Sequence, residues 1–265
     1  MDLQNKVVWL TGASSGIGEA LALALASEKV KLVISARRGD ELIRVAKATG
    51  LSESDYMILP LDLENQASFE AKKNEVLQRF GCIDVLVNNG GISQRSLAYE
   101  TEVSVDRKLM EVNYFGTIAL SKSVLKNFME RKSGMIVTVT SAVGKFGSPW
   151  RSGYAASKHA LHGFFDSLRA EVYKDGIQIL LVCPGFIQTN VSKNALTGTG
   201  TALGTMDNAT ANGLTAAECA SQIVKAIQAE KQEVFIGGFK ESLGIWMKRI
   251  SPWFLSVMLR KMAVR

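Results

Sequence analysis

Residues 11–26 read TGASSGIGEALALALA. Three glycines, Gly12, Gly16 and Gly18, sit between a short apolar run, VVWL at 7–10, and a stretch with apolar residues at helical spacing. Glycine in such a turn gives the backbone access to positive φ and lets another group approach closely. The helix that follows opens on unpaired N–H groups at the positive end of its dipole, which suits a pyrophosphate. The spacing is G-x-x-x-G-x-G, not G-x-G-x-x-G or G-x-x-x-x-G-K-[ST]. A strand, a glycine turn and a helix in that order predict the first unit of an α/β fold.

The rest of the chain repeats that unit. Further strand candidates are KLVIS (31–35), YMIL (56–59), IDVLV (83–87), MIVTVT (135–140), IQILLV (177–182) and EVFI (233–236). Several are apolar at consecutive positions, the pattern of strands buried on both faces of a parallel sheet. Helix-period segments such as ENQASFEAKKNEVLQRF and TAAECASQIVKAIQAE lie between them. The alternation predicts right-handed βαβ crossovers and a doubly wound, Rossmann-like sheet of seven parallel strands with helices on both faces. No repeat or interdomain linker interrupts it, so residues 1–265 are expected to form one domain. Two segments break the rhythm. Residues 189–213 are rich in Thr, Asn and Gly, which predicts a lid. The tail 237–265 is apolar and basic together.

Composition narrows the partners. The 265 residues are 47% apolar, ample for a core, and the formal charge of +6 is spread among acidic residues. No basic-aromatic module appears, so no nucleic-acid partner is expected. Cys82, Cys183 and Cys219 are odd in number and lack C-x-x-C spacing. Neither a disulfide framework nor a metal site is expected, and reduced thiols suit a cytoplasmic setting. The opening MDLQNKVVWLTG lacks the pattern of a signal or transit peptide. No apolar run approaches the ~20 residues of a membrane-spanning helix.

The second strand ends in ISARRGDEL. Ala36 stands where many NAD-binding folds carry an acidic residue for the adenosine ribose, and Arg37 and Arg38 follow it. Two guanidinium groups there suit a 2′-phosphate through charge-assisted bidentate contacts. Asp40 lies beyond both. The pair favours NADP(H) over NAD(H); two solvated arginines ahead of a helix are the plainer alternative.

Six motifs occur in order: TGASSGIG (11–18), NNGG (88–91), Asn113 in EVNYFG, Ser141 in VTSAVG, Tyr154-x-x-x-Lys158, and PGFIQT (184–189). In that order and spacing they resemble the short-chain dehydrogenase/reductase family over residues 5–240. More narrowly, NNGGISQRSLAYET, MEVNYFGT and SGYAASKHALHGFF are similar to the branch formed by members 7 and 7B. The resemblance implies hydride transfer between a nicotinamide cofactor and a small-molecule carbonyl or alcohol, in a homodimer or homotetramer. It implies cofactor contacts from Gly12, Ser14, Ser15, Gly16, Ile17 and Gly18. Asp62, Leu63 and Asn89 would contact the adenosine end, and Pro184, Gly185, Ile187 and Thr189 the nicotinamide end. It assigns Tyr154 the proton, Ser141 the substrate oxygen and Lys158 the nicotinamide ribose. Asn113 would hold a water that links Lys158 to solvent. Gly90 stands where the family usually has alanine.

Elementary chemistry gives the Tyr-Lys pair a reason. Residues four apart share a helix face, so Lys158 can lie beneath Tyr154. An ammonium nearby stabilises a phenolate, and is expected to draw the tyrosine below its usual pKa of about 10. His159 and His162, on the same helix, are expected to be structural or exposed.

In the tail, Ser251 and Pro252 read as an N-cap and a first helical residue. The helix they start is too apolar to stand alone in water. It is expected to dock on a subunit, or over the substrate pocket, or to make peripheral membrane contact. In the last case Lys248, Arg249, Arg260, Lys261 and Arg265 would lie near anionic headgroups. The chain as a whole reads as an NADP(H)-dependent oxidoreductase with a hydrophobic substrate. The alternative is a nucleotide-sensing binding protein of the same fold, which would have no need of Ser141, Tyr154 and Lys158.

Overall fold

The computed structural model describes residues 1–260. Its strands are β1 (Val7–Thr11), β2 (Lys31–Ser35), β3 (Tyr56–Ile58), β4 (Val85–Asn88), β5 (Gly134–Val139), β6 (Ile177–Pro184), β7 (Ile187–Gln188), β8 (Leu214–Thr215) and β9 (Glu233–Ile236). The first helices are α1 (Gly16–Ser27), α2 (Gly39–Thr49), α3 (Phe69–Phe80), α4 (Val103–Met110) and α5 (Gly116–Arg131). They are followed by α6 (Ser152–Glu171), α7 (Asn208–Ala211), α8 (Ala216–Gln228), α9 (Phe239–Ile250) and α10 (Pro252–Leu259). Seven strands form one parallel sheet in the order β3-β2-β1-β4-β5-β6-β9, as the alternation predicts. β7 and β8 pair separately.

The consecutive apolar runs follow from having a core on each side of the sheet. Val8 and Leu10 join Leu21, Leu25 and Ile223 on the face covered by α1, α2 and α8. Val7 and Trp9 join Val76, Leu120 and Phe165 on the face covered by α3, α5 and α6. Each fully buried aliphatic side chain contributes about 1.5–3 kcal/mol, so every residue of such a strand is held. One boundary moves for a physical reason: β4 begins at Val85, two residues later than the apolar run suggests. Asp84 instead accepts from the Val7 N–H at 2.9 Å and from Arg131 at 2.8 Å, which spends its carboxylate on joining β1 to α5.

Both departures from the rhythm have structure. Leu196 exchanges backbone hydrogen bonds of 2.8 Å with Ser93 and Arg95, which pins the 189–213 segment across the loop after β4. The tail folds into two helices that meet at Ser251, whose Oγ accepts from the Phe254 N–H at 3.4 Å. Leu255 is buried against Ala142 and Phe146, next to Ser141. Lys261 and Arg265 lie outside the described residues. Among the described residues no helix is long and apolar enough to cross a membrane.

Candidate active site

The strand order reverses between β1 and β4, so the crevice beyond their C-terminal ends is the switch point where such sheets bind ligands. Gly12 and Gly16 both have positive φ, +66° and +59°. Thr11, which sequence reasoning passed over, braces the turn: its Oγ1 accepts from the N–H groups of Asn89 and Gly90, each at 3.1 Å. Asn89 returns its side-chain N–H groups to the carbonyls of Thr11 and Gly12 at 3.1 and 3.2 Å. A Cβ on Gly18 would lie 2.1 Å from the Gly12 carbonyl oxygen, so only glycine lets the helix start this close to the turn. Ser15 is the N-cap of α1 but makes no side-chain cap, and the first-turn N–H groups are left for an anion.

Other cofactor residues gather around that turn. Arg38 donates to Ser14 Oγ at 3.1 Å and to Ser15 Oγ at 3.4 Å, which lays its guanidinium across the glycine turn; Arg37 is exposed. A Cβ on Gly16 would meet Thr189 Cγ2 at 3.0 Å, so the turn lies against Thr189, while Ile17 packs partly buried on the core. The Leu61 N–H donates to the Ala36 carbonyl at 3.1 Å, which brings Asp62 to the end of β2. Leu63 packs beside Gly90, where a Cβ would lie 2.9 Å from its Cδ1, so glycine in place of the family's alanine makes room for it. An uncapped helix start, a glycine turn and a guanidinium fit the phosphates of a dinucleotide.

The segment GASSG (12–16) also has the G-x-S-x-G spacing of a hydrolase nucleophile elbow. Its chemistry is absent. Ser14 is buried and accepts from Arg38, while His159 Nδ1 lies on the Ala155 carbonyl and His162 Nε2 on Thr140 Oγ1.

The chemical end lies at β5, β6 and α6. Lys158 Nζ lies 5.8 Å from the centre of the Tyr154 ring and donates to the Val139 carbonyl at 3.0 Å. Ser141 hydrogen-bonds Tyr154, and its Oγ also lies 3.4 Å from the Pro184 carbonyl. Gly185 donates to the Ile236 carbonyl at 2.8 Å and Ile187 is buried, which fixes the loop beside Ser141. Burial pushes the Lys158 ammonium down to about 8. It also pushes Tyr154 above the usual phenol range, against the Ser141 hydrogen bond and the charges of Arg95 and Arg151. The expectation that Lys158 makes this phenol more acidic is thus corrected. Dehydration dominates, and two arginines outside the Tyr-Lys motif supply the opposing charge.

Asn113 lies in a π-helical turn, Glu111–Phe115, between α4 and α5. It is fully buried. Its Oδ1 accepts from the Ile92 N–H at 2.8 Å, and its Nδ2 donates to the Ile92 carbonyl at 2.9 Å and to Ser157 Oγ at 3.0 Å. The amide therefore ties the loop after β4 to α6, one residue from Lys158. A Cβ on Gly91 would stand 2.9 Å from Asn113 Oδ1 and 3.6 Å from Lys158 Nζ, so glycine keeps the space between them open.

The profile of the short chain dehydrogenase family matches residues 6–200. The chain belongs to the short-chain dehydrogenase/reductase family. Among curated relatives, dehydrogenase/reductase SDR family protein 7-like of Anopheles gambiae is 47% identical, covering 98% of this chain and 84% of that one. Dehydrogenase/reductase SDR family member 7B of Mus musculus is 40% identical over 94% of this chain and 79% of its own. A short-chain dehydrogenase/reductase from Burkholderia phymatum, solved in complex with NAD, superposes with a TM-score of 0.85 at 21% identity, covering 96% of each chain. The protein is accordingly an oxidoreductase of a family that uses nicotinamide cofactors and small-molecule substrates.

Proposed function

We propose that this short-chain dehydrogenase/reductase reduces the carbonyl group of a largely apolar substrate, with NADP(H) preferred to NAD(H). The observation that carries the reading is the meeting of Ser141, Tyr154 and Lys158 where β5 runs out and α6 begins, one loop away from the glycine turn. The bound cofactor supplies a hydride. The hydroxyls of Ser141 and Tyr154 hold the substrate oxygen between them. A phenol that burial keeps protonated is poised to donate as negative charge grows on that oxygen, which suits reduction. Lys158 holds the ribose, and Asn113 positions the loop and helix that carry these groups. Support for NADP(H) comes from Arg38, already seated on Ser14 and Ser15, with Arg37 beside it.

The test is kcat/KM with NADPH and NADH across a panel of ketones, quinones and apolar aldehydes. NADPH is expected to win by about tenfold or more, and Arg37→Asp to narrow the preference. Tyr154→Phe is expected to lose about 100-fold or more of turnover while retaining NADPH binding. Equal use of NADH by the unaltered protein would overturn the cofactor assignment. Unchanged turnover in Tyr154→Phe would overturn the catalytic one.

The tail adds a surface to this reading. Phe239, Leu243, Trp246 and Ile250 recur at i, i+4, i+7 and i+11 on α9 and form one stripe, exposed at 81%, 39%, 62% and 79%. Trp253 and Phe254 continue it on α10, at 73% and 49% exposure. Exposed Lys240, Lys248, Arg249 and Arg260 flank the stripe. Aromatic and aliphatic residues bordered by cations match the surface of an anionic bilayer, and that is the occupant assigned here.

A further inference from the structure

Two arginines whose charges act on Tyr154 share one carboxylate. Arg151 is buried and Arg95 half-buried, and Asp207 from the 189–213 segment is buried against both. Asp207 is fully committed. Its Oδ1 accepts from the Thr210 N–H at 2.7 Å, and its Oδ2 takes two hydrogen bonds from Arg95, at 3.1 and 2.9 Å. What remains for Arg151 is an ion pair at 3.7 Å, too long for a hydrogen bond. Arg151 is 4% exposed and its Nη2 has no hydrogen-bond partner. Its guanidinium lies 5.1 Å from the Phe186 ring, in the loop after β6 that also borders Ser141.

Buried charges are ordinarily paired and hydrogen-bonded, because an uncompensated one costs several kcal/mol. Among the described residues Asp207 is the one carboxylate whose charge supports Arg151, while Arg95 opposes it. Burial and that repulsion push Arg151 down to about 10, far below an arginine's usual value. A buried cation left short of one acceptor, three residues before Tyr154 and acting on its phenol through its charge, is what a site for a negatively charged substrate group looks like before that group arrives.

We propose that Arg151 is an anion-accepting subsite of the substrate pocket, and that the preferred substrates are apolar carbonyl compounds bearing a carboxylate. The carboxylate oxygens take the hydrogen bonds that Asp207 leaves unmade, and the carbonyl then falls to Ser141 and Tyr154. The planar guanidinium is suited to this because it can receive a carboxylate with two parallel hydrogen bonds. The inference rests on the carbonyl-reductase reading above for its reaction. The binding step stands apart from it.

The experiment uses the NADPH-loaded protein and two matched pairs of probes. One pair is a long-chain oxo acid and its methyl ester as substrates; the other is a saturated fatty acid of the same length and its amide as non-reacting ligands. The acid is expected to exceed the ester in kcat/KM by about tenfold or more, and Arg151→Met to bring the ratio close to one. The saturated acid, not the amide, is expected to raise the melting temperature, and Arg151→Lys, which keeps the charge without the fork, to show an intermediate gain. Should neither oxo compound react while the saturated acid still binds through Arg151, the subsite stands and the reductase reading falls. Equal kcat/KM for acid and ester in the unaltered enzyme, or equal binding of acid and amide, would overturn the subsite.

Discussion

At the residue scale, His162 has a consequence for stability that the chemistry of the site does not require. It is 7% exposed, its Nε2 lies 3.1 Å from Thr140 Oγ1, and its Nδ1 has no hydrogen-bond partner. Burial, helped by the Lys145 ammonium, pushes it down to about 4. The folded-state value thus lies below the unfolded value of about 6.5, so the native protein takes up fewer protons between the two. The stability this provides is complete above pH 6.5 and is lost as pH falls towards 4, to the extent of about 3 kcal/mol. In urea titrations, His162→Gln is expected to flatten the fall in unfolding free energy between pH 7 and 4.5. An acid limb as steep as that of the unaltered protein would show that other groups set it. The same scale exposes what one motif could not say. Tyr154 and Lys158 advertise a shared helix face by their spacing, yet which charges oppose the dehydration of the phenol depends on Arg95, 59 positions before it in the chain.

At the scale of elements, the strands were legible because burial on both faces forces apolar residues at successive positions. The glycine turn was legible because positive φ and a 2.1 Å approach admit nothing else. The π-helical turn at Glu111–Phe115 was not, since a shifted hydrogen-bond register leaves no mark in composition. Nor was the Arg95–Asp207 pair, whose members lie 112 residues apart. The resemblance pointed to Asn113 but not to its work as a clamp. Asn113→Ala would leave a half-buried N–H and carbonyl of Ile92 without these partners, with an expected cost of about 1–3 kcal/mol in unfolding free energy. Because the amide also holds Ser157, next to Lys158, kcat is expected to fall more than KM rises. Asn113→Asp keeps the acceptor for the Ile92 N–H but turns an oxygen on the Ile92 carbonyl and brings a charge into a fully buried place. It is therefore expected to be no more stable than Asn113→Ala at neutral pH. A variant with full stability and full kcat would show that the clamp is dispensable.

At the scale of the whole molecule, the two ends of the site meet surfaces of opposite character. The glycine turn and Arg38 are polar and open to water. The other side, where Leu255 covers Ala142 and Phe146 beside Ser141, continues outward into the exposed stripe of α9 and α10. A stripe holding two tryptophans and two phenylalanines at about half exposure or more is larger than single scattered apolar residues account for. Flanking cations add about 1 kcal/mol each near an anionic surface and nothing near a neutral one. The protein is therefore expected to co-sediment with vesicles of phosphatidylserine and phosphatidylcholine and to stay in solution with phosphatidylcholine alone. Sodium chloride at high concentration should release it in part, because it screens the cations but not the apolar stripe. Trp246→Ser with Ile250→Ser should abolish sedimentation without changing turnover of a water-soluble carbonyl compound. If the unaltered protein ignores both vesicles and runs as a dimer that the double variant converts to a monomer, the stripe belongs to a second copy of the chain and the bilayer assignment is wrong.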